Sequence, residues 1–147
     1  MQVLIDADGC PVVDISIALC RKYHVPCVIV CDTAHEFYRD GAVTVIADKG
    51  ADSADYTLLS KVTAEDVVIT QDYGLASMCL AKQARVLHQD GWAYTLDNID
   101  ALLLARHEAR KFRASGGRTK GPSKRAKAQN DAFFKALESI LQTVSQG

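Results

Sequence analysis

The sequence predicts an α/β fold in which a mostly parallel sheet is covered by helices on both faces. Five short apolar runs, each compatible with a buried strand, alternate with stretches whose apolar residues recur at helical spacing. Acidic residues follow all five of these runs. Because right-handed crossovers bring the carboxyl ends of parallel strands to one edge of a sheet, we expect these acids to gather there.

The five predicted strands are rich in Val, Ile and Leu, as is typical of strands buried on both faces of a parallel sheet. They cover residues 3–5, 27–31, 43–47, 67–70 and 84–88. The acids behind them are Asp6, Asp8, Asp32, Asp48, Asp72 and Asp90.

Helices are predicted where apolar residues keep a helical period and capping residues mark the ends. They cover residues 12–23, 52–62, 74–83, 99–115 and 124–144, with a Gly-rich basic linker at 115–123. We expect a single domain over residues 1–147, with a core at 1–97 and a basic helical extension at 98–147.

Composition is that of a globular protein, with 48% apolar and 24% charged residues in 147. No apolar run approaches the roughly 18 residues that a membrane helix needs. Strand residues and acids begin at the N-terminus, which argues against a signal peptide, so we expect a cytoplasmic protein without membrane contact. Five cysteines without a C-x-x-C pair favour reduced core thiols over zinc ligands or disulfides.

The charge is divided unevenly along the chain. Residues 1–104 carry seven Lys/Arg and fifteen Asp/Glu, whereas residues 105–147 carry ten Lys/Arg and three Asp/Glu. An acidic body with a basic tail indicates a polyanionic partner that approaches a cation-loaded acidic site, although a basic helix packed on the acidic body would give the same pattern.

The candidate metal ligands are carboxylates, the ligand type that Mg²⁺ and Mn²⁺ prefer. Two of them follow the first strand and two begin the 52–62 helix three residues apart, on one face. Turn formation at Asp8-Gly9 and helix capping by Asp52 remain open as alternatives. The candidate ligands are Asp6, Asp8, Asp52, Asp55 and Asp72.

Several stretches together resemble the YaiI/YqxD family, also called UPF0178 or DUF188, along nearly the whole chain. They are VLIDADGCPV, ADSADYTLLS, VVITQDYGLA, Asn98-Ile99, Arg110 with Arg113, Gly121-Pro122, and Phe134 with Leu137. That family is similar to PIN-like nuclease domains, including the NYN group. The resemblance implies a three-layer PIN-like fold with a five-stranded sheet and additional C-terminal helices.

The resemblance also implies hydrolysis of RNA phosphodiesters with Mg²⁺ or Mn²⁺ held by the acids. By position, Asp6, Asp55 and Asp72 are then the catalytic candidates, while Asp8 and Asp52 complete the metal ligands. Thr70 is a candidate for substrate binding, or for orienting a carboxylate or a water. Asp90 is a weaker candidate in a less specific loop.

Basic residues around the predicted linker are candidates for binding nucleic-acid phosphates. We expect RNA as the partner, with DNA as the alternative polyanion, and a homo-oligomer is compatible with the sequence. The candidates are Arg110, Arg113, Arg118, Lys120 and Lys124, together with Arg125.

Two other functions fit the same residues. A phosphatase would use Asp6 as nucleophile and Asp8 as general acid, with Thr70 on the phosphoryl group. A clear later acid pair with a preceding lysine is missing from the sequence, which disfavours this interpretation. A non-catalytic RNA-binding protein would hold a structural cation on the acids and RNA on the basic tail.

Overall fold

Within residues 1–32, 37–48, 53–118 and 124–145, which the computed structural model describes, six strands form a single sheet. They are β1 (Val3–Asp6), β2 (Cys27–Asp32), β3 (Val43–Ala47), β4 (Val67–Ile69), β5 (Arg85–Leu87) and β6 (Ala93–Tyr94). Their spatial order is β3-β2-β1-β4-β5-β6, with β1 to β5 parallel and β6 antiparallel to β5. The five predicted strands are confirmed. The sixth was not predicted, because two residues are too short to show a period.

Helices also lie where the apolar period predicts them. In the described ranges they are α1 (Val13–Lys22), α2 (Ser53–Lys61), α3 (Tyr73–Ala81), α4 (Ile99–Ala114) and α5 (Lys127–Ser145). None of these helices is both long and apolar enough to cross a membrane. All five cysteines are thiols in the structure, and the four other than Cys10 are buried.

Side chains that alternate along β1 supply a buried layer on each face of the sheet. Ile5 lies in one core cluster with Ile17 of α1 and Leu137 of α5. Leu4, on the opposite face, lies in a second cluster with Leu58 of α2. The predicted arrangement of helices on both faces is therefore confirmed, and each face buries its own apolar core.

The C-terminal helix is part of this core. Phe133, Leu137 and Leu141 of α5 recur every four residues and are fully buried against the layer that contains α1. Just before α5, Nη1 of Arg125 lies 2.7 Å from Oδ1 of Asp90. This ion pair links the segment before α5 to the turn between β5 and β6. The guanidinium of Arg125, a predicted phosphate-binding residue, is therefore paired with an acid of the same chain.

The strand order creates a switch point between β1 and β4. From β1 the chain passes through α1 to β2 and β3 on one side, and it returns through α2 to β4 on the other side. The helix after β1 and the helix after β4 consequently cover opposite faces of the sheet. Such a point leaves a crevice at the carboxyl ends of the two strands, where ligands bind in open α/β sheets.

Candidate active site

A cleft of about 570 Å³ occupies this switch point. Its carboxylates come from four parts of the chain, namely the end of β1 and the turn after it, the end of β2, the first turn of α2 and the segment after β4. The lining residues are Asp6, Asp8, Asp32, Ser53, Ala54, Asp55, Gln71, Asp72, Tyr73 and Arg106. We refer to it as the acid cleft. The structure thus brings together four of the five predicted metal ligands, while Asp52 lies outside the described residues.

Asp6, the last residue of β1, carries the most perturbed carboxylate of the cleft. Burial raises its pKa from 3.8 to about 6, and the negative charges of Asp55, Asp72 and Asp8 add to this rise. A hydrogen bond from Thr70 acts in the opposite direction and limits it. Burial and the neighbouring negative charges destabilise the ionised form of Asp6, and a bound cation or a proton would offset this. Carboxylates with such a perturbed pKa are typical of functional sites.

Thr70 links the two central acids of the cleft. Its hydroxyl donates to Oδ2 of Asp6 at 2.8 Å and accepts from the backbone N–H of Asp72 at 3.0 Å. The side chain is only 1% exposed, and the Tyr94 hydroxyl donates to the Thr70 carbonyl oxygen at 3.1 Å. These contacts give Thr70 the positioning role. The predicted contact with substrate would require its hydroxyl to leave Asp6 and Asp72.

Asp72 is held as the N-cap of α3. Its Oδ1 accepts from the backbone N–H groups of Gly74 at 2.9 Å and Leu75 at 3.2 Å. Nη1 of Arg106 on α4 lies 3.6 Å from the same oxygen. Within the described part of the chain, the hydrogen bonds and the ion pair of this carboxylate all use Oδ1. The second oxygen is therefore the one that an added cation could take without disturbing the cap.

Asp8 and Asp55 approach the cleft from different elements. Oδ2 of Asp8 accepts from the backbone N–H of Asp32 at 3.2 Å, and the next residue, Gly9, has a φ of +72°. Asp8 is thus part of a turn and also lines the acid cleft, while its role as a metal ligand stays a prediction. Asp55 lies in the first turn of α2 and faces the same cleft.

The donor set of the cleft is made of oxygens, with no His or Cys among its described lining residues. That set fits Mg²⁺ or Mn²⁺ better than zinc. Among the described residues, no three His, Cys, Asp or Glu side chains are grouped tightly enough to form a complete metal site. Mg²⁺ commonly keeps several waters and takes only one or two carboxylates, so a cleft of separated acids remains compatible with it.

Basic side chains lie next to the acids on α4. Arg106 and Arg110 line a second groove, of about 320 Å³, that also includes Asp55 and Asp72. Arg113 continues the series, because residues at i, i+4 and i+7 share a helix face. The described lining of neither groove includes Arg113, Arg118 or Lys124. Lys120 lies outside the described residues.

Asp32, Arg106 and Tyr73 are among the six cleft residues that were absent from the predicted site. Asp32 follows the predicted strand at 27–31 but is not one of the candidate ligands. Arg106 lies one turn before the predicted Arg110, so the spacing of the arginines was its only signal. Tyr73 follows Asp72 directly and places its ring 5.9 Å from that of Tyr94. Asp90 is paired with Arg125 and is not part of the described lining of the acid cleft.

Comparison with known proteins decides the family. A family model described as "Uncharacterized BCR, YaiI/YqxD family" matches residues 4–143. The chain belongs to the YaiI/YqxD family. A UPF0178 protein of Exiguobacterium sibiricum is 45% identical over 141 residues, which cover 96% of each chain. A UPF0178 protein of Ruminiclostridium cellulolyticum is 47% identical over 148 residues, which cover 100% of this chain and 96% of the relative.

No solved structure matches the chain. The resemblance inferred from its motifs is confirmed at the level of the YaiI/YqxD family, whereas the relation to PIN-like domains stays a prediction. Because the family is described as uncharacterized, membership assigns no reaction to the acid cleft.

Proposed function

We propose that this YaiI/YqxD protein is a ribonuclease that hydrolyses phosphodiester bonds with Mg²⁺ or Mn²⁺ in the acid cleft. The observation that carries the proposal is the convergence of Asp6, Asp8, Asp55 and Asp72 on one cleft at the switch point of the sheet. So many carboxylates in one place repel one another, and a cation relieves that repulsion. The predicted PIN-like relation supports the same reaction.

In this proposal, different residues in and beside the acid cleft ligate the cation and orient its ligands. One or two of Asp6, Asp55 and Asp72 would ligate the cation directly and the rest through its waters, with Asp8 at the margin of the site and Thr70 orienting the Asp6 carboxylate. When bound, the cation supplies an activated water and offsets charge at phosphorus. Asp6 must give up its proton to become a ligand, and its pKa of about 6 makes this step pH-dependent.

Arginines on α4 provide the second half of the site. Nη1 of Arg106 pairs with Oδ1 of Asp72 at 3.6 Å, and Arg110 lines the adjoining groove one helical turn away. Guanidinium groups bind phosphate oxygens with paired hydrogen bonds, so this face of α4 suits the backbone of a nucleic acid. An acidic cleft bordered by arginines thus combines a cation site with phosphate anchors.

The test uses Asp72→Asn. We expect the wild-type protein to cleave RNA with Mn²⁺ or Mg²⁺, and the variant to lose about a hundredfold or more of kcat/KM because a ligand charge is removed. Asn is an equally good N-cap for α3, so the variant should fold with an unchanged circular dichroism spectrum. Cleavage is followed with a 5′-labelled single-stranded RNA on denaturing gels, with EDTA as the metal-free control.

Asp131→Asn is the matched control, since it removes the same charge from an exposed position on α5. Equal cleavage by wild type and Asp72→Asn would contradict the proposal. Turnover of p-nitrophenyl phosphate without cleavage of RNA would favour the phosphatase. RNA binding that weakens steeply with salt, without turnover of either substrate, would favour the non-catalytic RNA-binding protein.

A further inference from the structure

The groove beside the acid cleft has a composition that the acid cluster does not explain. It lies between α2, α3 and α4, has a volume of about 320 Å³, and shares Asp55, Asp72 and Arg106 with the acid cleft. Its other lining residues are Tyr56, Gly74, Leu75, Met78 and Arg110. We refer to it as the side groove. Because the side groove and the acid cleft share three lining residues, they adjoin, and a single ligand can occupy both.

Tyr56 is the distinctive residue of the side groove. It is 68% exposed although it is one of the largest apolar side chains of the chain, and it directly follows Asp55 on α2. Met78, on α3, is 38% exposed in the same groove. An aromatic ring and a polarisable thioether give the groove an apolar wall that the core does not use.

The opposite wall of the side groove is cationic. Arg106 and Arg110 are four residues apart on α4, which places them on one face about 6 Å apart along the helix axis. Arginine binds phosphate through a planar fork of donors, and it also stacks on flat rings. The side groove therefore offers a surface for a flat ring together with anchors for phosphates.

We propose that the side groove holds a nucleobase, stacked on Tyr56, of a nucleotide that flanks the bond in the acid cleft. This inference rests on the proposed ribonuclease function, and it names the substrate class as single-stranded RNA. A base can enter the groove only when it is unpaired, because the bases of a duplex are stacked inside the helix. Arg106, at the boundary of the two grooves, then contacts the phosphate between that base and the acids.

Binding to Tyr56 variants tests the proposal. The probe is a short fluorescein-labelled single-stranded oligoadenylate RNA, titrated in low salt with EDTA and followed by anisotropy. We expect Tyr56→Ala to bind about tenfold more weakly or worse, since base stacking on an aromatic side chain contributes about 1–3 kcal/mol. Tyr56→Phe keeps the ring and should bind within about twofold of the wild type.

Tyr38→Ala is the matched control, because Tyr38 is 66% exposed and lines a different groove. A probe that carries 2-aminopurine adds a readout that a structural role would not change. Its fluorescence should be quenched by stacking on the wild-type protein and on Tyr56→Phe, and left unquenched by Tyr56→Ala. The same strand annealed to oligouridylate should bind more weakly and resist cleavage with Mn²⁺.

Equal affinity of Tyr56→Ala and wild type, undetectable binding of the single strand, or equal cleavage of strand and duplex would overturn the base site. The two proposals fail separately in this design. RNA cleavage that depends on Asp72 but not on Tyr56 would leave the ribonuclease standing without the base site. Binding and quenching that depend on Tyr56, without any cleavage, would leave the base site standing without the ribonuclease.

Discussion

Replacing Asp6 by Asn is expected to stabilise the metal-free protein at neutral and higher pH while it abolishes RNA cleavage. The native structure holds the Asp6 carboxylate with a pKa of about 6, raised from 3.8 first by burial and then by neighbouring acids. At about pH 8 the ionised form therefore costs folding free energy on the order of 2 kcal/mol, allowing for its partial exposure. The neutral amide of Asn avoids that cost.

The sign of this effect is fixed by the direction of the pKa shift. Below the unfolded-state pKa of 3.8 the wild-type carboxyl is protonated in both states, and its cost is absent. As the pH rises through the folded-state pKa of about 6, the wild type loses stability that the variant keeps. Urea denaturation in EDTA across this pH range should show that the free energy of unfolding of Asp6→Asn exceeds that of the wild type. This difference should grow with pH and level off above about pH 7.

Asp131→Asn again serves as the control, and its unfolding free energy should match the wild type at every pH. If Asp6→Asn were more stable than the wild type by the same amount at low and high pH, the electrostatic explanation would be contradicted, because the effect of a packing change does not depend on pH. Adding Mn²⁺ should reverse the order of stability, since only the wild type gains a ligand charge for the cation. Opposite effects on stability and activity are the signature of a residue kept for function.

Thr70→Val is expected to destabilise the protein by about 3 kcal/mol, because a buried hydroxyl with two partners is replaced by a methyl group of similar volume. The change removes the donor to Asp6 and leaves the backbone N–H of Asp72 without its acceptor. Little cavity is created, so the loss measures the hydrogen bonds rather than packing. Urea denaturation provides the free energy of unfolding.

Thr70→Ser keeps the hydroxyl and is the matched control, expected to cost about 1 kcal/mol for the lost methyl group. Because the hydrogen bond from Thr70 lowers the pKa of Asp6, the Val variant should also move that pKa further up. Equal stability of the Val variant and the wild type would show that Thr70 does not tie the two acids together.

The sheet and the acids behind its strands could be predicted because both depend on local sequence. A continuous apolar run such as Val67–Ile69 indicates a strand that is buried on both faces of the sheet. In a parallel sheet the carboxyl ends of such strands lie at the same edge. These two features together predict that Asp6 and Asp72 lie at one edge of the sheet. The short strand Ala93–Tyr94 shows no such signal, since its pairing with β5 follows from the turn and not from its own composition.

Two residues that sequence reasoning missed, Arg106 and Tyr56, depend on how helices pack against one another. Arg106 reaches Asp72 because α4 packs on α3, and the spacing of the arginines within α4 indicates their shared face but not the acid that this face meets. Tyr56 is an aromatic residue in an amphipathic helix, and only the fold shows that its ring stays exposed beside the cleft. Conversely, Arg125 resembles its basic neighbours in sequence, yet its guanidinium is bound to Asp90.

The central claim is that the acid cleft binds a divalent cation, and crystals soaked in Mn²⁺ test it most directly. Anomalous scattering identifies manganese independently of the protein density. We predict an anomalous peak in the cleft at about 2.1–2.2 Å from carboxylate oxygens of two or more of Asp6, Asp55 and Asp72, with waters completing the shell. An ordered cleft without such a peak, at Mn²⁺ concentrations that occupy other sites in the same crystal, would contradict it.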